Sequence, residues 1–185
     1  MAILKNLEKL LKGAKVKYEV VKHKTVYTAL DKAKTLKINP KEVAKTLVLK
    51  LVSGHPTRQA GRASQYVLAS IPADKNFDKE KFRKLFNDWN KKMAKTEGKV
   101  FKAAKEIDFA AENWIKKNIF KTKTGGAVPP FGGLFKTPAF IDKSLLKAKK
   151  LLINAGGFKE SIKLAGNQLE KIEKAVKGSF SKVKK

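Results

Sequence analysis

The sequence contains no cysteine among its 185 residues, which removes disulfides, thiolate metal sites and a cysteine nucleophile together, since each needs sulfur. It has two histidines, His23 and His55, too few for a histidine-rich metal centre. No Gly-x-Ser-x-Gly elbow, His-Glu-x-x-His helix or Walker sequence is present, and no carboxylate pair stands out for acid–base work. Neither a metal nor a cofactor is expected. No apolar run reaches the roughly 18 to 20 residues that cross a bilayer. Met1 to Lys12 is charged and amphipathic, unlike the apolar core of a signal peptide, so the expectation is a cytoplasmic chain with no membrane partner.

Negative charge is also scarce. Against 43 Lys+Arg stand 16 Asp+Glu, a net charge of +27, and so self-repelling a chain is best matched by a polyanionic partner, nucleic acid first. The basic residues are nearly all lysine. Arg58, Arg62 and Arg83 are the only arginines, whereas bidentate reading of phosphates or bases favours Arg. The charge therefore reads as backbone contact without base reading, with Arg58 and Arg62 as expected RNA contacts. A lysine-rich composition serving solubility alone is the bland alternative, and a DNA-compacting protein a third reading.

At 42% hydrophobic content the chain can bury one core, so one domain is expected. Ile3, Leu4, Leu7, Leu10 and Leu11 predict an amphipathic helix ending near Gly13. Val16 to Val21 alternates like a half-buried strand, with His23 at its end. Thr28 and Asp31 have capping-box spacing and predict a helix over 29–37, and Asn39-Pro40 begins a further helical turn. The runs 46–52 and 65–71 predict a hairpin around a Gly- and Arg-containing loop. Phe82, Leu85, Phe86 and Trp89 mark one face of a helix. Residues 109–119 read as helical, 134–141 and 151–154 as strands around a short helix at 144–149, and Asn167 as the cap of a final helix through Leu169, Ile172 and Val176. The last fifteen residues carry six lysines and one glutamate and read as a frayed basic end, with a domain over residues 1–177 and a basic tail over 178–185.

The segment 124–133 (TGGAVPPFGG) holds four of the 12 glycines and two of the six prolines. Glycine lets backbone N–H groups approach a ligand and proline stiffens the loop, so it is either a cradle for an anion or ester carbonyl, or an ordinary turn. Lys45, at the start of an apolar strand, is either a functional cation or a solvated charge. His23 is either a strand cap or a substrate contact.

The ordered series His23, Thr28-Ala29, Val43-Ala44-Lys45-Thr46-Leu47-Val48, Gly126-Ala127-Val128-Pro129-Pro130-Phe131-Gly132, Ile141-Asp142-Lys143-Ser144-Leu145 and Asn154-Ala155-Gly156 resembles the YbaK/ProX family of aminoacyl-tRNA editing domains, over roughly Leu7 to Val176. The family includes free-standing deacylases and the editing insertion of bacterial prolyl-tRNA synthetases. The resemblance implies an α+β single domain with a curved mixed sheet or partly open barrel flanked by helices. It implies hydrolysis of the ester joining a wrong small amino acid, such as Cys, Ala or Ser, to tRNA, commonly proline tRNA, by positioning and substrate-assisted chemistry. It places Lys45, Gly126 and Pro130 at the heart of the site. His23, Thr28, Thr46, Ala127, Val128, Pro129, Phe131, Gly132, Asp142, Asn154, Ala155 and Gly156 then contact the substrate. The implied partners are the aminoacylated 3′ end of tRNA and a synthetase, with the chain a monomer or homodimer. Two features depart from the pattern. Thr46 stands where the alanine-specific branch carries asparagine. The lysine-rich stretch 90–123 is longer than usual, and is either an added RNA-binding surface or a divergent helix. A catalytically silent tRNA-binding module of the same fold is the competing expectation.

Overall fold

Leu7, Leu10 and Leu11 form one face of helix α1 (Ala2–Gly13), and that face covers one of the chain's apolar clusters. The computed structural model describes residues 2–53, 64–96 and 101–183. Strand β1 (Glu19–Lys22) starts later than the alternation from Val16 suggests, because pairing with the distant β8 (Glu160–Leu164) sets its extent. Helix α2 (Ala29–Thr35) is capped as expected. Thr28 Oγ1 accepts from Asp31 N–H at 3.0 Å and donates to the Asp31 carboxylate at 2.6 Å. A 3₁₀ turn at Pro40–Glu42, capped by Asn39, leads into β2 (Ala44–Val52), which pairs antiparallel with β3 (Ser64–Pro72) as the expected hairpin. Residues 54–63 join them, and Arg58, Arg62 and His55 fall in this segment, outside the described residues.

Strand β4 (Lys75–Phe77) precedes α3 (Lys79–Thr96), whose Phe82 and Phe86 are fully buried against the sheet. The helical reading of 109–119 is corrected in part. Phe109 ends strand β5 (Glu106–Phe109), which pairs with the outer half of β2, and α4 (Glu112–Ile115) begins only afterwards, running into a looser π-helical turn to Phe120. A free edge on β2 outweighed local helix preference.

β6 (Ala139–Asp142), α5 (Lys143–Leu146), β7 (Leu151–Asn154), α6 (Leu169–Ile172), β9 (Val176–Gly178) and β10 (Ser181–Val183) complete the chain. The main sheet has the order β5-β2-β3-β6-β9, antiparallel up to β3 and parallel beyond it. A second sheet, β1-β8-β7, is antiparallel and joins the first through a bridge between Val43 and Leu152. The expected α+β single domain is what forms, with its mixed sheet left open and no closed barrel.

Two readings at the C-terminal end are corrected. Asn167 does not cap the last helix, and Val176 belongs to β9, because the helix stops at Ile172 and the chain then pairs with β6. The tail is not frayed over the described residues. Phe180 is fully buried against Phe77 and Phe82, and β10 pairs with β4. Six lysines near the end hid one buried aromatic anchor.

Candidate functional site

A cavity of about 450 Å³ opens between α2, the start of β2, the β5–α4 junction, the glycine loop and the end of β7. Its wall includes Thr28, Lys32, Lys45, Thr46, Gly125 to Val128 and Asn154. A volume of this size lies in the range of small-ligand sites.

The glycine loop forms one wall because it is locked to the turn after β7. Gly126 packs so close to the Gly156 carbonyl and the Phe120 ring that a Cβ there would collide with both. Gly156 N–H donates to the Ala127 carbonyl at 3.1 Å, and Asn154 Nδ2 donates to the Val128 carbonyl at 3.0 Å. Glycine at 126 is thus required by backbone approach, and the two segments hold each other in register.

Asn154 has a second partner that the sequence reading missed. Lys32, on α2, is 3% exposed and its Nζ donates to Asn154 Oδ1 at 2.7 Å. No carboxylate pairs with it among the described residues. Burial lowers its pKa from 10.5 to about 8. In retrospect a signal existed. Ala29, Lys32, Ala33 and Leu36 follow the i, i+3, i+4, i+7 spacing of a buried stripe, and a lysine on such a stripe is out of place unless it serves the site.

That burial has a stability cost. Between about pH 8 and 10.5 the unfolded chain holds a proton that the folded chain has released, so stability rises with pH across this window and the full penalty applies below it. A depression of that size corresponds to about 3 kcal/mol. Lys32→Met removes the charge but leaves Asn154 Oδ1 without its donor, which returns about 1 to 2 kcal/mol. The variant is expected to be more stable than the parent by about 1 to 2 kcal/mol at pH 7. Thermal melts at pH 7 and pH 10 check this, and the gain should shrink at the higher pH.

Lys45 contributes to the cavity wall, but alternation along β2 places it on the same face as Leu47 and Leu49, toward α3, while Thr46 and Val48 face the loop side. Lys45 Nζ donates to the Lys75 carbonyl at 2.6 Å. Thr46 Oγ1 shares a hydrogen bond with Ser70 Oγ at 3.1 Å.

The other expected site residues stand apart from the cavity. His23 Nδ1 donates to the Lys24 carbonyl at 2.8 Å and its Nε2 shares a hydrogen bond with the Ser161 hydroxyl at 2.9 Å, tying the end of β1 to β8. Pro129, Pro130, Phe131 and Gly132 are buried behind the loop wall. A Cβ at Gly132 would collide with the Thr137 carbonyl, which makes that glycine a packing requirement. Ala155 and Gly156 are buried as backing for the loop. Asp142 caps α5 through Ser144 N–H and the Ser144 hydroxyl, and accepts Phe180 N–H and Ser181 N–H at 3.0 Å each. Its carboxylate is consumed by these bonds and lies outside the cavity wall. No three of His, Asp and Glu gather as a metal site among the described residues.

Residues 23–172 match the family model of the aminoacyl-tRNA editing domain. No curated protein matches the sequence significantly. The fold is similar to that of the hypothetical protein APE2540, with a TM-score of 0.70 at 18% identity over 95% of this chain and 99% of the other. It is also similar to a candidate trans-editing enzyme for prolyl tRNA synthetase, with a TM-score of 0.63 at 15% identity over 98% of each chain. At these identities the structural likeness speaks for the fold, and the sequence match supplies the assignment: the chain belongs to the aminoacyl-tRNA editing domain family.

Proposed function

We propose that this chain is an aminoacyl-tRNA deacylase that hydrolyses the ester of mischarged tRNA carrying a small amino acid such as cysteine, alanine or serine, on proline tRNA, in the cytoplasm. The observation that carries the reading is the cavity itself. One wall is the backbone of Gly125 to Val128, immobilised by Asn154 and Gly156, and the opposite wall is the start of β2. Such a wall positions an ester that is already activated, a task that calls for orientation and preorganised donors more than for a triad. The volume is generous for a small amino acid alone and suits that group together with part of the terminal nucleoside.

The RNA reading has its own support. An open groove lined by Lys116, Lys117, Lys121 and Lys123 adjoins the cavity and shares Lys116 with it. Four lysines along the approach to the cavity suit the phosphates of a single-stranded 3′ end, with little demand on sequence. This favours an RNA-binding surface at the end of the 90–123 stretch over a merely divergent helix.

The test is release of labelled amino acid from tRNA charged with alanine, cysteine, serine or proline. At least one of the first three is expected to be released faster than proline and faster than the uncatalysed rate. Lys45→Ala is expected to lose that release, since Lys45 holds the β2 wall to β4. Salt-sensitive tRNA binding with no release on any substrate would overturn the proposal in favour of a catalytically silent RNA-binding module.

A further inference from the structure

One charge in the cavity wall, Lys32, has no counter-charge among the described residues. Lys32 is nearly fully buried, lines the cavity, and donates to a neutral amide oxygen where a buried lysine would ordinarily meet a carboxylate. The other titratable groups on the wall are Tyr27, Lys45, Glu112 and Lys116. Glu112, the one carboxylate among them, is taken by Lys116 at 2.7 Å. An ammonium has three N–H donors, and Asn154 accepts from Lys32. Asn154 also grips the Val128 carbonyl, so the lysine, the amide and the glycine loop form one rigid unit on the cavity wall.

From this arrangement we infer that Lys32 is a catalytic residue, the cation that receives the negative charge developing on the ester carbonyl oxygen during deacylation. The inference rests on the hydrolase reading above. In the step, a water oxygen adds to the ester carbon while the C=O π pair moves onto the carbonyl oxygen, where the Lys32 ammonium donates to it. Collapse re-forms the C=O bond and breaks the bond to the ribose oxygen. That oxygen leaves with one proton from the water, and the other goes to solvent as the product carboxylate forms. Lys32 itself neither gains nor loses a proton. A fixed donor held in place before the reaction is worth most where charge appears only in the transition state. The unmatched charge of the resting site fits this role, because a resident carboxylate would cancel it.

The experiment compares kcat, KM and the pH profile of the parent protein, Lys32→Met and Lys32→Arg on the charged tRNA that the parent turns over, with the uncatalysed rate subtracted. Lys32→Met is expected to lower kcat about a hundredfold with KM nearly unchanged. Lys32→Arg should recover much of that loss. The parent's kcat should fall as pH rises through about 8, where Lys32 loses its proton, and Lys32→Arg should move that limb upward. Should Lys32→Met fail to fold, the parent and Lys32→Arg profiles carry the test alone. An unchanged kcat in folded Lys32→Met, or a parent profile with no limb that Arg displaces, overturns the inference and leaves the deacylase reading intact. No release by the parent overturns both.

Discussion

Asp142→Ala is expected to cost about 3 to 5 kcal/mol and to free the C-terminal strand, because it strips the acceptor from several donors at once. Phe180 N–H is buried and Ser181 N–H partly so, and both donate to the same Asp142 carboxylate oxygen. With the carboxylate gone, β10 loses its anchor to the end of β6 and Phe180 loses what holds it among Phe77 and Phe82. For a chain of this length the melting temperature should fall by about 10 °C, and amide exchange should accelerate first in β10 and β4. Acid should do the same to the parent. Burial pushes the Asp142 carboxyl up, but hydrogen bonds from Ser144, Ser181 and Phe180 outweigh it and hold the group below its ordinary value of 3.8. The native state thus binds this proton less readily than the unfolded chain. The stabilisation is complete above pH 3.8 and is lost as pH drops through the lower, folded-state value. Acid unfolding of the parent that begins anywhere but at the C-terminal strand would contradict this assignment.

Gly126→Ala should leave a folded protein that deacylates about a hundredfold more slowly, since misplacement of about 1 Å in a positioning site costs that much. The added methyl meets the Gly156 carbonyl and the Phe120 ring, so the loop must move away from the turn that fixes it. That movement pulls against the Ala127–Gly156 and Val128–Asn154 hydrogen bonds. The stability cost should stay near 1 to 3 kcal/mol, because the loop borders a cavity into which it can relax. Gly133→Ala is the control. That glycine is exposed, and the nearest atom to a Cβ there is a Glu173 carboxylate oxygen at 3.9 Å. Equal rates for the two variants would show that the loop's position does not govern the reaction.

Much of the fold could be read from local pattern. The α1 stripe, the β2–β3 hairpin, the Thr28–Asp31 cap and the aromatic face of α3 each declare themselves within a few residues. The elements that escaped, β4, β5, β8, β9 and β10, are short strands that each pair with at least one strand far away in sequence, so their own residues carry little of the signal. The site divides the same way. Lys45, Thr46, Gly126 to Val128 and Asn154 do gather around one cavity. Asp142, His23 and Pro130 come from the same sequence blocks but serve as a strand clamp, a strand tie and buried backing. A motif fixes which residues are near one another; the direction of a side chain depends on pairing register and on competing donors. Lys32 was hidden because a single lysine among forty draws no notice until burial singles it out.

The scarcity of acidic partners gives salt two opposing effects on this molecule. The five ion pairs among the described residues join side chains that reach solvent, and most of the lysines have no counter-charge within the chain. Added electrolyte shields those lysines from one another and so tightens the folded chain. The same ions compete for the phosphates that the lysine groove would grip, so the grip on nucleic acid weakens. Under the proposed function, durability and RNA affinity therefore peak at opposite ends of the ionic-strength scale, and a deacylase of this composition would operate between them.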